Sequence, residues 1–328
     1  MFESDTSVFA SWLLPPFACD GWRVDVGNML GRYNEQQLDQ DVLPAIRKTV
    51  KRTNPQSYLM GENFFEAAGQ LQGDSWDGVM NYTGFSQPLI NWLKGFEIEA
   101  LRCKTVLKSE NAISTEALVK SWQENLAAIP WTIALQQFNV LDSHDTSRIH
   151  TLLNQDQDLV RLAVMIQFTF PGVPCVYYGD EIGLTDEPGF GQRNCFPWDE
   201  DRWDKDLLAF YQKLISTRKE SDVLAEGSFQ VLFWDDDLLV FQFERNIEPG
   251  GPENGAEVFR FIRGEAGNLD RSAGDRFVDY RVRADLVVAD DGQTFVYIVC
   301  GQVGENLRSL TVKNEVDNRA AHFITAAF

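Results

Sequence analysis

Three carboxylate residues, Asp25, Glu62 and Asp145, each follow a short apolar run whose composition is typical of a β-strand. The carboxyl ends of parallel strands meet at one edge of a sheet, and parallel-barrel enzymes draw their catalytic groups from that edge. Cleavage of a glycosidic bond requires two carboxylates held a short distance apart. The pattern therefore favours a parallel α/β fold with acidic side chains gathered at one edge.

Between residues 58 and 218, apolar strands alternate with amphipathic helices, which is typical of a parallel sheet covered by helices. Including the run before Asp25, strands are predicted over 21–26, 57–60, 77–82, 138–141 and 175–178, which contain Val24, Leu59, Val79, Val140 and Val176. Helices are predicted over 4–14, 35–52, 115–126, 159–170 and 206–218, with a turn over 171–174.

The pattern changes after residue 221, where short strands replace long helices. Strand pairs are predicted for 231–234 with 238–243 and for 285–289 with 294–300, separated by a loop over 248–255. We therefore predict two domains, a barrel portion over residues 1–221 and a small antiparallel β domain over residues 222–328.

Composition excludes several classes of partner. The 328 residues include 29 Lys and Arg against 49 Asp and Glu, a net charge of −20, which argues against nucleic acid or an anionic membrane surface. No apolar run approaches the ~18 residues of a membrane span. The five cysteines contain no CxxC pair, which favours reduced thiols and gives no zinc motif. Because the net charge is strongly negative, we predict a neutral substrate. Because the N-terminal segment is acidic where a signal peptide would be basic, we predict a cytoplasmic protein.

Each acid also has a structural interpretation that spacing alone leaves open. Arg23 and Asp25 share one face of an extended strand, so the guanidinium could keep Asp25 ionised as a nucleophile requires, or merely close the strand. Glu62 follows Gly61, where a carboxyl can be a general acid or a loop residue. Asp145 could serve a site, or else Asp142, Ser143 or Asp145 could merely cap the following helix. Their order on separate candidate strands favours a shared site.

Several segments resemble signature regions of the α-amylase superfamily, glycoside hydrolase family 13. They are Asp20-Gly21-Trp22-Arg23-Val24-Asp25, Gly61-Glu62-Asn63, Leu141-Asp142-Ser143-His144-Asp145 and the strand-and-loop segment 171–181. Segments 5–14, 80–82 and 196–198 are most similar to maltodextrin glucosidases, in the neopullulanase and cyclomaltodextrinase branch. The resemblance extends from about residue 5 to about residue 245.

This resemblance implies retaining hydrolysis of α-1,4-glucosidic bonds in maltodextrins and other α-glucans, without a cofactor. It implies a catalytic set of Asp25 as nucleophile, Glu62 as general acid/base and Asp145 as a third carboxylate that grips sugar hydroxyls. It implies a substrate-binding set of Arg23, which orients Asp25, together with His144 and Tyr82. No metal ligand is assigned; bound calcium stays open, although no loop of the EF-hand type appears.

The resemblance also departs from the family. The family's barrel has eight strands with Asp25 on the fourth, and this sequence offers candidates for strands four to eight only. The first family signature, Asp-x-x-x-Asn-His, is absent. Three hypotheses stay open: a C-terminal fragment, half of a split enzyme completed by an N-terminal half, and an open or homo-oligomeric sheet. The last would bind carbohydrate or protein without turnover, which is the alternative to a glycosidase.

Overall fold

The computed structural model describes residues 2–94, 96–99, 106–109, 112–187, 191–236, 240–246, 256–262 and 295–298. Its strands are β1 Gly21–Val24, β2 Arg32–Tyr33, β3 Gln36–Gln37, β4 Tyr58–Gly61, β5 Gly78–Val79, β6 Phe96–Glu99, β7 Val106–Ser109, β8 Phe138–Val140, β9 Val173–Cys175, β10 Gln230–Asp235, β11 Val240–Asn246, β12 Ala256–Ile262 and β13 Phe295–Ile298. Its α-helices are α1 Val8–Ser11, α2 Asp39–Thr53, α3 Gln87–Lys94, α4 Thr115–Ala127, α5 Trp131–Ala134, α6 Ile149–Leu152, α7 Gln157–Thr169, α8 Lys205–Glu220 and α9 Asp222–Glu226.

Five short parallel strands form an arc in chain order. β1 pairs with β4 and β4 with β5, while β8 pairs with β9. A parallel bridge between Met80 and Phe138 joins the two groups. The five predicted strands are therefore present. β4, β5 and β8 are largely buried, whereas β1 is half-buried and Val173 of β9 is exposed.

Two of these strands differ from their predicted bounds. The prediction of strand residues up to position 82 was wrong, because β5 ends at Val79 and a π-helical turn, Tyr82–Ser86, leads directly into α3. β9 begins at Val173, inside the predicted turn, and ends at Cys175, so it lies earlier in the chain than the strand predicted near Val176. Gly172 has a φ of +115°, so the chain reverses there and Val173 can donate its N–H to the Gln137 carbonyl oxygen.

The helices follow the apolar periodicity of the sequence. In α2, the residues Leu43, Ile46 and Val50 recur at helical spacing and are buried at 0–1% exposure. α4 begins at the cap Ser114, whose hydroxyl accepts from the Ala117 N–H. The predicted helix over 4–14 is shorter than expected, since only Val8–Ser11 is helical.

The C-terminal strands form a sheet in the order β10-β11-β12-β13. The pairing of β10 with β11 confirms the first predicted hairpin, although residues 237–239 lie outside the described residues. β12 and the β6–β7 hairpin were not predicted. β13 pairs in parallel with β12, and its predicted partner 285–289 and the predicted loop 248–255 lie outside the described residues.

One hydrophobic cluster joins the helical layer to this second sheet. The ring of Trp122 on α4 lies 4.8 Å from Phe170 and 5.3 Å from Phe241 on β11, measured between centroids, and all three side chains are fully buried. The cluster therefore crosses the predicted domain boundary at residues 221 and 222.

Among the described residues, no helix combines the length and apolar content that a bilayer crossing requires.

We predict that Trp122→Ala lowers the free energy of unfolding by about 3–5 kcal/mol, because it removes a fully buried ring and leaves a cavity between α4 and β11. The matched control is Trp198→Ala, which truncates a tryptophan that is 84% exposed. Urea unfolding followed by circular dichroism measures both. A loss below about 1 kcal/mol for Trp122→Ala would contradict the shared core.

Candidate active site

Arg23 links two of the predicted catalytic carboxylates. It lies near the carboxyl end of β1, and its Nη1 atom is 2.5 Å from Asp25 Oδ1. Its Nη2 atom is 2.5 Å from Glu62 Oε1 and 3.5 Å from Met80 Sδ. A single planar guanidinium therefore spans both acids. The Arg23–Asp25 pair expected from period-two spacing is present, and Glu62 joins it because β4 lies beside β1.

Glu62 is enclosed at the end of β4 and is 3% exposed. Its Oε2 atom accepts from the Val26 N–H at 2.8 Å, and Val26 has a φ of +48°, in the left-handed region. Gly61 before it has no room for a side chain, since a Cβ there would lie 2.7 Å from the Trp76 ring. The glycine thus permits the close packing that fixes Glu62 at the sheet edge.

Asp25 occupies a more open position than Glu62. Its side chain is 75% exposed, and the Arg23 side chain beside it is 29% exposed. The cation keeps the Asp25 carboxylate oriented while its second oxygen can face solvent or a ligand. This arrangement suits a group that meets substrate directly.

His144 and Asp145 lie in a tight turn after β8. His144 Nε2 is 3.1 Å from Asp145 Oδ2, and the Asp145 N–H donates to Ser143 Oγ at 3.1 Å. The Ser143 N–H in turn donates to Thr146 Oγ1 at 2.8 Å. These local bonds hold both functional side chains in one short segment.

Glu62, His144 and Asp145 converge in space. One polar atom from each lies within 4.8 Å of the others, although the first comes from β4 and the other two follow β8. Asp25 joins this group through Arg23. These three side chains have the donor types and spacing of a metal site, but Arg23 and Arg193 already balance the charges of Glu62 and Asp145. Organic hydroxyl groups fit this arrangement of donors and acceptors as well.

Tyr82 lies beneath the cluster. It is 3% exposed, its hydroxyl donates to Ser143 Oγ at 2.7 Å, and its ring stacks on Phe64 with centroids 4.3 Å apart. Burial raises the pKa of Tyr82, and the charges of Glu62 and Asp145 add to that effect, so the phenol stays protonated. The structure places Tyr82 as a donor that supports the turn at Ser143, and its predicted contact with substrate stays a prediction.

Residues from the loop after β9 also reach the site, and no periodic pattern predicts them. Arg193 Nη2 donates to Asp145 Oδ1 at 2.6 Å, and Arg193 Nε donates to the His144 carbonyl oxygen at 2.8 Å. Gln192 Nε2 donates to the same carbonyl oxygen at 2.6 Å. The resemblance of segments 171–181 and 196–198 to the family pointed to this loop, but neither segment contains Gln192 or Arg193.

Asp142, in the same turn, has the helix-capping role that the sequence pattern left open. It is 2% exposed, and its Oδ2 atom accepts from the N–H of Ile149, the first residue of α6, at 2.5 Å. Burial raises the pKa of Asp142 to about 6. Burial and the nearby Asp142 charge raise the pKa of Asp180, and Arg148 opposes this at 2.9 Å. Capping is thus carried by Asp142, which leaves Asp145 free for the cluster.

Comparison with known proteins identifies the family of this arrangement. The family described as "Alpha amylase, catalytic domain" matches residues 3–201. A cyclomaltodextrinase from Bacillus sp. is 37% identical over 213 residues, which cover 65% of this chain and 34% of that protein. The intracellular maltogenic amylase of Bacillus subtilis strain 168 is 30% identical over 240 residues, covering 73% of this chain and 37% of that protein.

A solved structure agrees with the sequence relatives. The debranching enzyme of Nostoc punctiforme, soaked with acarbose, has a TM-score of 0.60 and 30% identity, covering 70% of this chain and 46% of that chain. This chain therefore spans about a third of the length of the curated relatives described above. The shared region contains Asp25, Glu62 and Asp145.

The buried Asp142 predicts a pH effect on stability. The folded protein holds the Asp142 proton up to about pH 6 against a usual value of 3.8. Its contribution to stability is therefore fully present below the unfolded pKa and is lost as the pH rises through the folded pKa. Asp142→Asn removes that loss, so the variant should gain about 1–3 kcal/mol relative to the parent between pH 4 and pH 6.5. Urea unfolding at several pH values measures it, and a difference that is constant with pH would contradict the assignment.

Proposed function

Because this chain belongs to the α-amylase family, we propose that it is a glycosidase that cleaves α-1,4-glucosidic bonds in maltodextrins and related α-glucans with retention of configuration. The observation that carries this proposal is the position of one guanidinium, Arg23, between Asp25 and Glu62. Retaining cleavage needs two carboxyl groups about 5–5.5 Å apart, and two acids that share one guanidinium are close enough for such a pair.

In the proposed first step, the Asp25 carboxylate attacks the anomeric carbon of a glucosyl unit. Glu62, which takes up a proton from solvent before this step, gives that proton to the oxygen of the departing sugar, so that the glycosidic bond breaks as the bond to Asp25 forms. The exposure of Asp25 supports the nucleophile role, and the position of Glu62 at the same sheet edge, held by the Val26 N–H, supports the acid role. In the second step Glu62 removes a proton from water, which attacks the same carbon and releases Asp25.

Asp145 and His144 are proposed to hold the hydroxyl groups of the reacting sugar. Both converge with Glu62 within 4.8 Å, and Asp145 is fixed by Arg193. Hydrogen bonds to a sugar that strengthen as its ring distorts stabilise the transition state rather than the substrate. Tyr82 supports this pair from below through Ser143. No cofactor enters the proposed chemistry.

The substrate class is proposed from two independent considerations. The names of the relatives refer to cyclomaltodextrin and maltogenic activity, and the net charge of −20 suits a neutral substrate better than an anionic one. A relative is described as intracellular, which supports the proposal that this protein is cytoplasmic.

We further propose that β1, β4, β5, β8 and β9 correspond to strands four to eight of the family's barrel, followed by a C-terminal β domain over 222–328. In the described part of the chain, β1 and β9 are each paired on one side only. Edge strands of this kind accept further strands. A complementing N-terminal half or a second copy of the chain is the proposed source, and the mass in solution distinguishes the two.

A second function, binding of carbohydrate or protein without turnover, is favoured by β1 and β9, each of which is paired on one side only in the described part of the chain. A site whose wall is open at those strands can bind a sugar without holding its reacting carbon between the two carboxyl groups. Calorimetric titration with maltotriose, paired with an assay for glucose release, separates this function from hydrolysis.

We predict that Asp25→Asn and Glu62→Gln each lower kcat for maltotriose at least about 100-fold, because each removes a group that forms or breaks bonds in the reaction. Asp20→Asn and Glu116→Gln make the same chemical changes outside the site and should stay within about twofold of the parent. Proton NMR of the first product should show the α-anomer. Equal rates in all five proteins would remove the proposed roles, and a β-anomer would exclude retention.

A further inference from the structure

Arg148 is a fully buried cation that the proposed reaction does not use. It lies three residues after Asp145, immediately before α6, and its side chain contacts the loop that follows β9. We propose that Arg148 is a positioning residue for Asp145, acting through Asn194 and Arg193. The effect on catalysis rests on the proposed function, whereas the effect on geometry does not.

The contacts of Arg148 tie two loops together. Its Nη1 atom donates to Asp180 Oδ1 at 2.9 Å and to the Tyr178 carbonyl oxygen at 2.8 Å. Its Nε atom donates to Asn194 Oδ1 at 3.2 Å. Its guanidinium carbon lies 4.6 Å from the Tyr177 ring centroid and 4.9 Å from that of Tyr178. All of these partners belong to the loop after β9, while Arg148 belongs to the loop after β8.

Asn194 carries this connection towards the site. Asn194 is 2% exposed, and its Nδ2 atom donates to the Thr185 carbonyl oxygen at 3.2 Å. Its backbone carbonyl oxygen accepts from the Tyr178 hydroxyl at 2.6 Å. The adjacent residue is Arg193, whose side chain is 60% exposed and reaches Asp145 Oδ1 at 2.6 Å. A surface arginine is costly to order, so a fixed neighbour reduces the conformational freedom that Arg193 loses in this ion pair.

The charges around Arg148 explain why an arginine suits the position. Two buried carboxyl groups, Asp142 and Asp180, lie near its guanidinium, and the Asp186 carboxylate accepts from its backbone N–H at 2.9 Å. A lysine at this position would also supply one positive charge to pair with the Asp180 carboxyl group. An ammonium group, however, cannot donate to Asp180 and Asn194 from two edges of one plane while the faces of that plane stack on two tyrosine rings.

Stability alone accounts poorly for this residue. Arg148 Nη2 is buried and makes no hydrogen bond within the part of the chain that the structure describes. A buried ion pair with an unsatisfied donor is a weak source of stability. The contacts of Arg148 instead have a geometric effect: they hold the segment that bears Arg193 against the segment that bears Asp145.

The test combines crystallography with kinetics. In crystals of Arg148→Lys and of Asn194→Ala, we expect the Arg193–Asp145 ion pair to be lost or displaced. Asn194→Ala keeps the Arg148–Asp180 pair and serves if Arg148→Lys does not fold. Arg161→Lys, which makes the same change at a residue that packs on Phe210, is the control and should retain the 2.6 Å contact. An unchanged contact in both test variants would overturn the proposal.

The kinetic arm is a double-mutant cycle on maltotriose hydrolysis. Arg148→Lys and Arg193→Gln should each lower kcat about 10- to 100-fold with a smaller change in KM, and the double variant should be little worse than either one. Additive losses would mean that Arg148 does not act through Arg193, which contradicts the proposal. If the parent chain does not hydrolyse maltotriose, the proposed function fails and the crystal structures still decide the role of Arg148.

Discussion

The site depends on the contacts of the Arg23 guanidinium with two carboxyl groups. The guanidinium lies 2.5 Å from both Asp25 and Glu62, so it offsets the repulsion that two neighbouring carboxylates would otherwise exert. The Arg23–Asp25 contact is a charge-assisted hydrogen bond, which is directional as well as strong, and the Arg23–Glu62 contact is an ion pair. Because Arg23 belongs to β1 and Glu62 to β4, the same contact also fixes how the functional ends of two neighbouring strands lie relative to each other.

The fold supplies the rest of the geometry through strand order and loop-to-loop contacts. The parallel arc brings the carboxyl ends of β1, β4 and β8 to one edge, which places residues distant in sequence within a few ångströms. The loop after β9 then closes on the loop after β8 through Arg193 at the surface and Arg148 in the interior. A hydrophobic cluster that reaches β11 supports the helices behind these loops.

Much of this arrangement could be predicted from sequence, because strand periodicity and carboxylates at strand ends are local patterns. The pairing of Arg23 with Asp25 followed from their spacing, and the bond from Arg23 to Glu62 did not, since it depends on strand neighbours. Arg193 and Asn194 lie in a loop without periodicity, so their contacts with the turn after β8 could not be read locally. In that turn Asp142, rather than Asp145, accepts from the first N–H of α6, and the catalytic role of Asp145 stays a prediction.

The central claim is that Asp25, oriented by Arg23, forms a covalent bond to the sugar while Glu62 transfers the proton. The most direct measurement is mass spectrometry of peptides from Glu62→Gln treated with a fluorinated α-glucosyl fluoride, whose good leaving group needs no acid and whose intermediate hydrolyses slowly. The account predicts one glucosyl adduct, on the peptide containing Asp25 and attached to that side chain. An adduct on another residue, or turnover of this reagent with no adduct at Asp25, would contradict it.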